Sequence, residues 1–262
     1  MSNEPGKRNL LVTFGGTGYE EFVGKTLERA PTIGVDEVRV YDDVWLDAHP
    51  FRQLPGNRWL WETAERRGYG WHAFKPLVVL DTFERCVPGD VVFYLDGDTW
   101  PTGESFLPLS ERARAEGAVL FEYSGWEEQK VWCTRNCFVA MGQDDERYHK
   151  ARHGCARFGL FKKGDWKAHQ FLMEWLVYCT NPDANARHPR PSLGPNFPEF
   201  KEHRTDQAIY TLLAHKYGYP LYPEISEPTQ PRQPWPQYVI QGGSQANDDG
   251  KGSRYRNVEP PR

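Results

Sequence analysis

The chain has 262 residues, long for one small domain and short for two ordinary ones at roughly 100–200 residues each. Its mean hydropathy of −0.73 is strongly polar, yet 39% of residues are hydrophobic and 14% aromatic, ten of them Trp, which is enough for a core. No apolar run approaches the roughly 18 residues of a membrane span, and residues 1–8 carry no signal-peptide pattern. A net charge of −4 with a pI near 6.1 argues against a dedicated nucleic-acid binder, and a cytoplasmic protein is expected.

Asn9–Phe14 is a short apolar run closed by Gly15-Gly16-Thr17-Gly18, the pattern of a buried strand. A polar helix is predicted over Tyr19–Ala30, stopped by Pro31 and Gly34. Glu37–Tyr41 reads as a second strand, ending at Asp42-Asp43. A Trp-rich stretch with Trp45, Trp59, Trp61 and Trp71 leads to a helix over Phe74–Arg85, where Leu77, Leu80 and Phe83 recur at helical spacing. Asp90–Leu95 is the strongest strand signal, and its nearly continuous apolar run suits burial on both faces. A polar helix around 105–116 and a strand over Ala118–Phe121 follow. Strands alternating with helices predict an α/β domain with a mostly parallel sheet. The second half is less regular. It carries helices over Trp166–Thr180 and Asp206–Tyr217, a loop-like stretch at 181–200, and no pattern after Pro220. The expected organisation is one domain over residues 1–240 and a flexible tail over 241–262.

Five cysteines, an odd number without a secretory signal, do not suggest a disulfide framework. Cys133 and Cys137 lie near His149 and His153 but lack a second close pair at zinc spacing.

Asp96-x-Asp98 directly follows the best strand, where ligands gather in open α/β sheets. Two carboxylates on such a turn can hold a hard divalent cation together with phosphate oxygens. They can also be two solvated turn residues. Two enzyme classes place D-x-D this way: nucleotide-sugar glycosyltransferases of the GT-A type, and haloacid-dehalogenase-like phosphatases, whose D-x-D-x-T is matched by Asp96-Gly97-Asp98-Thr99. In the phosphatase reading Asp96 is the nucleophile and Asp98 the general acid, with Asn247-Asp248-Asp249 as an acidic metal motif. That motif belongs on the first strand of its fold, whereas two strands precede Asp96 here.

Three blocks resemble bacterial and viral GT-A glycosyltransferase-like proteins. They are Arg67-Gly68-Tyr69-Gly70-Trp71-His72-Ala73-Phe74-Lys75-Pro76, then Gly89–Asp98, then Phe197–Ala208 with His203-Arg204-Thr205-Asp206-Gln207. The resemblance spans about residues 10 to 220; Gly97 stands where the family has Ala, Ala208 where it has Ser, and no late His matches the third metal ligand of related enzymes. It implies a GT-A-like, Rossmann-type sheet flanked by helices, a Mn²⁺ or Mg²⁺ cofactor and a nucleoside-diphosphate sugar donor, a UDP-sugar first. Thr13, Phe14 and Gly15 would meet the nucleoside, and Asp42 or Asp43 the base or ribose. Lys75 would reach a donor phosphate or sugar, Asp98 would bind the metal, and Asp96 would share it or hold the ribose. Asp206 would act as base or stabilise positive charge at the sugar, and Gln207 would contact donor or acceptor. The same residues also read as a helix start capped by Thr205 or Asp206.

The implied reaction moves a hexose or pentose to a hydroxyl of a glycan, lipid-linked or other acceptor; a non-catalytic nucleotide-sugar binder remains an alternative. Trp126, Glu127 and Glu128 are acceptor-side candidates, and Trp71 and Trp126 candidates for holding a sugar ring. Seven Lys or Arg between Arg147 and Lys167 read as a solvated basic face or as the site of an anionic acceptor, such as a lipid phosphate, acidic glycan or modified DNA.

Overall fold

The computed structural model describes residues 7–63, 70–123, 125, 127–187, 192–226 and 235–242. Strand β1 (Asn9–Phe14) is buried along its whole length. Helix α1 (Glu20–Arg29) crosses back, Gly34 turns the chain at φ 84°, and β2 (Glu37–Tyr41) pairs parallel with β1. Three short helices follow: α2 (Asp43–Ala48), α3 (Pro50–Gln53) and α4 (Arg58–Thr63). Helix α5 (Phe74–Glu84) is apolar nearly all round and almost entirely buried, as a helix against the middle of a sheet must be. It delivers the chain to β3 (Val91–Leu95), parallel to β1.

Beyond β3 come β4 (Thr99–Pro101), α6 (Leu107–Glu116), β5 (Ala118–Glu122), α7 (Gln129–Trp132), α8 (Arg135–Ala140) and α9 (Glu146–His149). Then follow β6 (Gly154–Lys162), α10 (Trp166–Cys179), α11 (Pro182–Asn185), α12 (Thr205–Lys216), β7 (Leu221–Pro223) and β8 (Val239–Gln241).

Six strands form one sheet in the order β2-β1-β3-β6-β5-β7, and β4 pairs with β8 in a small second sheet. All strands of the large sheet run parallel except β6, which is antiparallel to both neighbours. The expected mixed α/β, mostly parallel architecture is therefore present. Alternate residues supply two cores: Leu10, Val12, Val92 and Tyr94 pack on α5, α10 and α12, while Leu11, Phe93, Leu95 and Val119 pack on α6.

Four strands depart from the sequence reading. β6 falls in the basic run, where Arg157 and Lys162 mask its apolar alternation. β4, β7 and β8 are three-residue strands, too short for periodicity to register. The chain after Pro220 is thus part of the fold: β8 reaches Gln241, and the Gly242 N–H bonds the Asp98 carbonyl at 2.8 Å. The rest of the expected tail, 243–262, lies outside the described residues. Among the described residues no helix is long and apolar enough to cross a membrane.

Candidate active site

The parallel strands all end at one edge, and the residues singled out in sequence collect there. Thr13 and Phe14 close β1; both are buried, and the Phe14 ring packs 4.4 Å from Phe74. Gly15 bonds through its N–H to the Tyr41 carbonyl. Asp42 and Asp43 follow β2 but already hold local jobs. Asp42 caps α2 by accepting from the Trp45 N–H at 2.8 Å, and Asp43 accepts from the Thr17 N–H at 2.7 Å and hydroxyl at 2.8 Å.

Asp96-Gly97-Asp98 turns tightly past β1. A Cβ on Gly97 would stand 2.2 Å from the Phe14 carbonyl oxygen, so only glycine fits between the carboxylates. The missing side chain lets the turn lie directly on the end of β1.

Lys75, from the second position of α5, points into this edge and is buried. Its Nζ lies 3.0 and 3.1 Å from the two Asp96 oxygens and 3.5 Å from Asp206 Oδ2. Tyr94 donates to Asp96 at 2.6 Å. Both Asp96 oxygens are therefore engaged, and Lys75 spends its charge on two carboxylates instead of facing open space. Burial on its own pushes the Lys75 ammonium toward neutrality, but Asp206 and Asp96 outweigh it and hold it charged.

Asp206 is 3% exposed. Its Oδ1 accepts from the Thr205 hydroxyl at 3.2 Å and lies 3.3 Å from His72 Nδ1, while Oδ2 has no hydrogen bond. Burial raises its pKa to about 6, with Lys75 opposing. Burial and the adjacent Lys75 keep His72 neutral. Neither Thr205 nor Asp206 caps α12 with its side chain, so the capping expectation fails. Instead Thr205 takes φ 45°, and Trp71 and His72 take 51° and 66°. These are the non-glycine residues with positive φ among the described residues, and the His72 and Thr205 side chains meet at 3.4 Å. Strained backbone of this kind persists only where the surrounding structure holds it in place.

Asp98 is different. Among the described residues its carboxylate joins no ion pair and receives no hydrogen bond beyond its own backbone N–H; burial first, then Asp96, raises its pKa. A carboxylate beside a second one, with Arg157 and Lys75 acting on it only at a distance and no ion pair among the described residues, suits a divalent ion. Among the described residues no three His, Cys, Asp or Glu side chains converge as a preformed metal cage. The donor set nonetheless fits Mg²⁺ or Mn²⁺, which take one or two carboxylates and complete their shell with substrate phosphates and water.

Arg157 was not singled out as a site residue. It sits where β6 bulges: Cys155 pairs with Phe121 and Gly159 with Leu120, leaving residues 156–158 between consecutive β5 partners. Its carbonyl accepts from the Asp96 N–H, and its guanidinium lies 5.6 Å over the Tyr123 ring. Among the described residues the guanidinium makes no hydrogen bond or ion pair, and the residue is half-buried. Burial weakens its charge, but Tyr123, Cys155, Asp96 and Asp98 more than offset this. The Gly154 and Gly159 that bracket it were the available sequence signal for an irregular strand.

The other members of the basic run scatter. Lys150 pairs with Glu146, Arg152 with Glu122 and Lys163 with Glu84, Lys162 bonds the Arg114 carbonyl, and Lys167 lies over Tyr219. Glu127 pairs with Lys201 and Glu128 with Lys130, on the surface. Trp126 and Arg67–Tyr69 lie outside the described residues, as does Asn247-Asp248-Asp249. Gln207 accepts from the Tyr123 hydroxyl at 3.2 Å. A cleft of about 440 Å³ beside Arg52, Leu54 and Trp61 contains none of the carboxylates described above.

No protein-family model and no curated protein sequence matches the chain. Among solved structures its chain path is similar to mouse xyloside xylosyltransferase 1 in its apo form, with a TM-score of 0.46 and 12% identity over 83% of this chain and 85% of that one. It is also similar to the apo WbbM bifunctional glycosyltransferase, with a TM-score of 0.43 and 10% identity over 81% of this chain and 38% of that one. At these values the likeness is one of chain path alone.

Proposed function

We propose that this chain is a metal-dependent glycosyltransferase that moves a hexose or pentose from a nucleoside diphosphate, UDP first, to an acceptor hydroxyl. One observation carries the reading. Lys75, Asp96 and Asp206, drawn from three sequence blocks up to 131 positions apart, meet at ion-pair distance at the carboxyl edge of the sheet and leave Asp98 uncommitted.

In this reading Asp98 is the principal cation ligand and Asp96 its support, held in place by Lys75 and Tyr94. A divalent cation supplies Lewis-acid stabilisation of the departing diphosphate, worth several kcal/mol. Arg157 takes the remaining diphosphate charge, since a guanidinium binds phosphate in a fork and this one has no protein acceptor among the described residues. Asp206 is too enclosed to meet an acceptor; it fixes Lys75 and places negative charge behind the sugar. Gln207, held at the rim by the buried Tyr123 hydroxyl, binds sugar or acceptor hydroxyls.

The test is thermal unfolding with UDP, GDP and their sugars, with and without Mn²⁺. Stabilisation should require metal and nucleotide together, vanish in Asp98→Asn, and weaken in Arg157→Met. If no nucleoside diphosphate stabilises the protein with Mn²⁺, the reading is wrong. Phosphate release from phosphomonoesters would then favour the dehalogenase-like phosphatase. Donor binding with no turnover at all would leave a non-catalytic binder.

A further inference from the structure

A second polar chain runs behind Gln207 through His153 and Gln129, two buried residues that lie outside the three sequence blocks. Gln207 Nε2 lies 2.7 Å from His153 Nε2, and His153 Nδ1 bonds Gln129 Oε1. Gln129 Nε2 in turn donates to the Ala208 carbonyl at 3.0 Å. The donors settle the direction. A carbonyl accepts, so Gln129 must point its NH₂ at Ala208 and its oxygen at His153. His153 then donates from Nδ1, and its Nε2 lone pair accepts from Gln207. That leaves Gln207 Oε1 to accept from the Tyr123 hydroxyl at 3.2 Å. Each hydrogen bond requires the next, and the alternative orientation of the Gln207 amide would set NH₂ against the tyrosine and oxygen against a lone pair.

His153 is 1% exposed and Gln129 fully buried, whereas Gln207 reaches the rim. His153 stacks 6.3 Å from the Tyr123 ring, so it braces both ends of the Tyr123–Gln207 pair. Burial first, then the nearby Arg204 and His203, disfavours its protonation. His203 is itself fixed, accepting from the Thr134 N–H and donating to the Ala184 carbonyl.

We propose that His153, backed by Gln129, is a positioning residue: an imidazole that donates from Nδ1 and accepts at Nε2, and so locks the Gln207 side-chain amide in one orientation at the mouth of the site. The functional part rests on the glycosyltransferase reading, in which Gln207 touches a ligand hydroxyl. Structurally the lock stands on its own hydrogen bonds.

Two experiments on the full chain separate these. Imidazole ¹⁵N NMR should show His153 as the Nδ1–H tautomer, without titration between about pH 5.5 and 8. An Nε2–H tautomer, or a protonation step in that range, overturns the proposal whatever the protein's activity. The second is a double-mutant cycle on turnover of whichever nucleotide sugar stabilises the wild type. His153→Phe should lower kcat/KM about tenfold in the wild type and leave it nearly unchanged in a Gln207→Ala background. Equal losses in both backgrounds mean that His153 supports the fold rather than Gln207, and overturn the proposal. Should His153→Phe fail to fold, Gln129→Leu removes the same Nδ1 acceptor and is read by the same cycle. If no nucleotide sugar binds, the glycosyltransferase reading fails by itself, and the NMR result alone decides the lock.

Discussion

Replacing Lys75 by Met keeps the aliphatic stem in the core and removes the ammonium shared by Asp96 and Asp206. Removing one partner of a buried ion pair costs about 3–5 kcal/mol, a large share of the roughly 5–15 kcal/mol that holds a domain together. The pH dependence is the sharper test. Burial pushes the Asp206 carboxyl from its ordinary value of 3.8 up to about 6 in the folded protein. A carboxyl group whose folded pKa is raised loses stability as pH climbs from its unfolded to its folded pKa. At 1.36 kcal/mol per unit this is a penalty of about 3 kcal/mol at pH 7 and about 1.6 at pH 5. Lys75 is the main force holding that pKa down. Without it the Asp206 carboxyl is pushed higher still, and each further pH unit adds about 1 kcal/mol to its penalty at pH 7 while at pH 5 it barely changes. His72, no longer facing an ammonium, gains a proton more readily in acid and pushes the same way. Urea unfolding of wild type and Lys75→Met, followed by Trp fluorescence at pH 7 and pH 5, should therefore show a cost about 1 kcal/mol larger at pH 7. An equal cost at both pH values, or a cost below about 1 kcal/mol at pH 7, would refute the buried-cluster argument.

Gly97→Ala drives a methyl into the Phe14 carbonyl and should cost about 1–3 kcal/mol, seen as a lower Tm, together with loss of metal-dependent nucleotide binding. Gly24→Ala, in α1 with nothing near its Cβ, should gain up to about 1 kcal/mol in the same melts. Thr205→Gly relieves a backbone at φ 45° and loses the hydroxyl's bond to Asp206 and its long contact with His72, so its unfolding free energy should stay within about 1 kcal/mol of wild type. Thr205→Val keeps the strain and loses the bond, and should fall about 1–2 kcal/mol below Thr205→Gly in the same urea titrations.

Much of the first half was legible in sequence, because each of its main elements carries its own signal. β1 and β3 are continuous apolar runs ended by Gly15-Gly16 and by Asp96, and α5 repeats Leu77, Leu80 and Phe83 at helical spacing. Asp98 was legible as a candidate cation ligand because the strand and its charged end are adjacent in the chain. β6 was not legible. Its apolar residues face two cores, its Arg157 carbonyl bonds the Asp96 N–H, and its antiparallel direction is set by what it lies between, not by its own composition.

The sequence by itself determined an α/β chain with strands ending in glycines and aspartates, because period and punctuation are local properties. Only the tertiary structure decided what each charge does. Lys75 is charge-paired with two aspartates and Asp42 caps a helix, whereas Arg157, one of seven basic residues between 147 and 167, has a guanidinium with no hydrogen bond or ion pair among the described residues. The physical reason is that a side chain's role depends on the counter-charges and donors within about 4 Å of it. In this fold those neighbours come from strands and helices far apart along the chain.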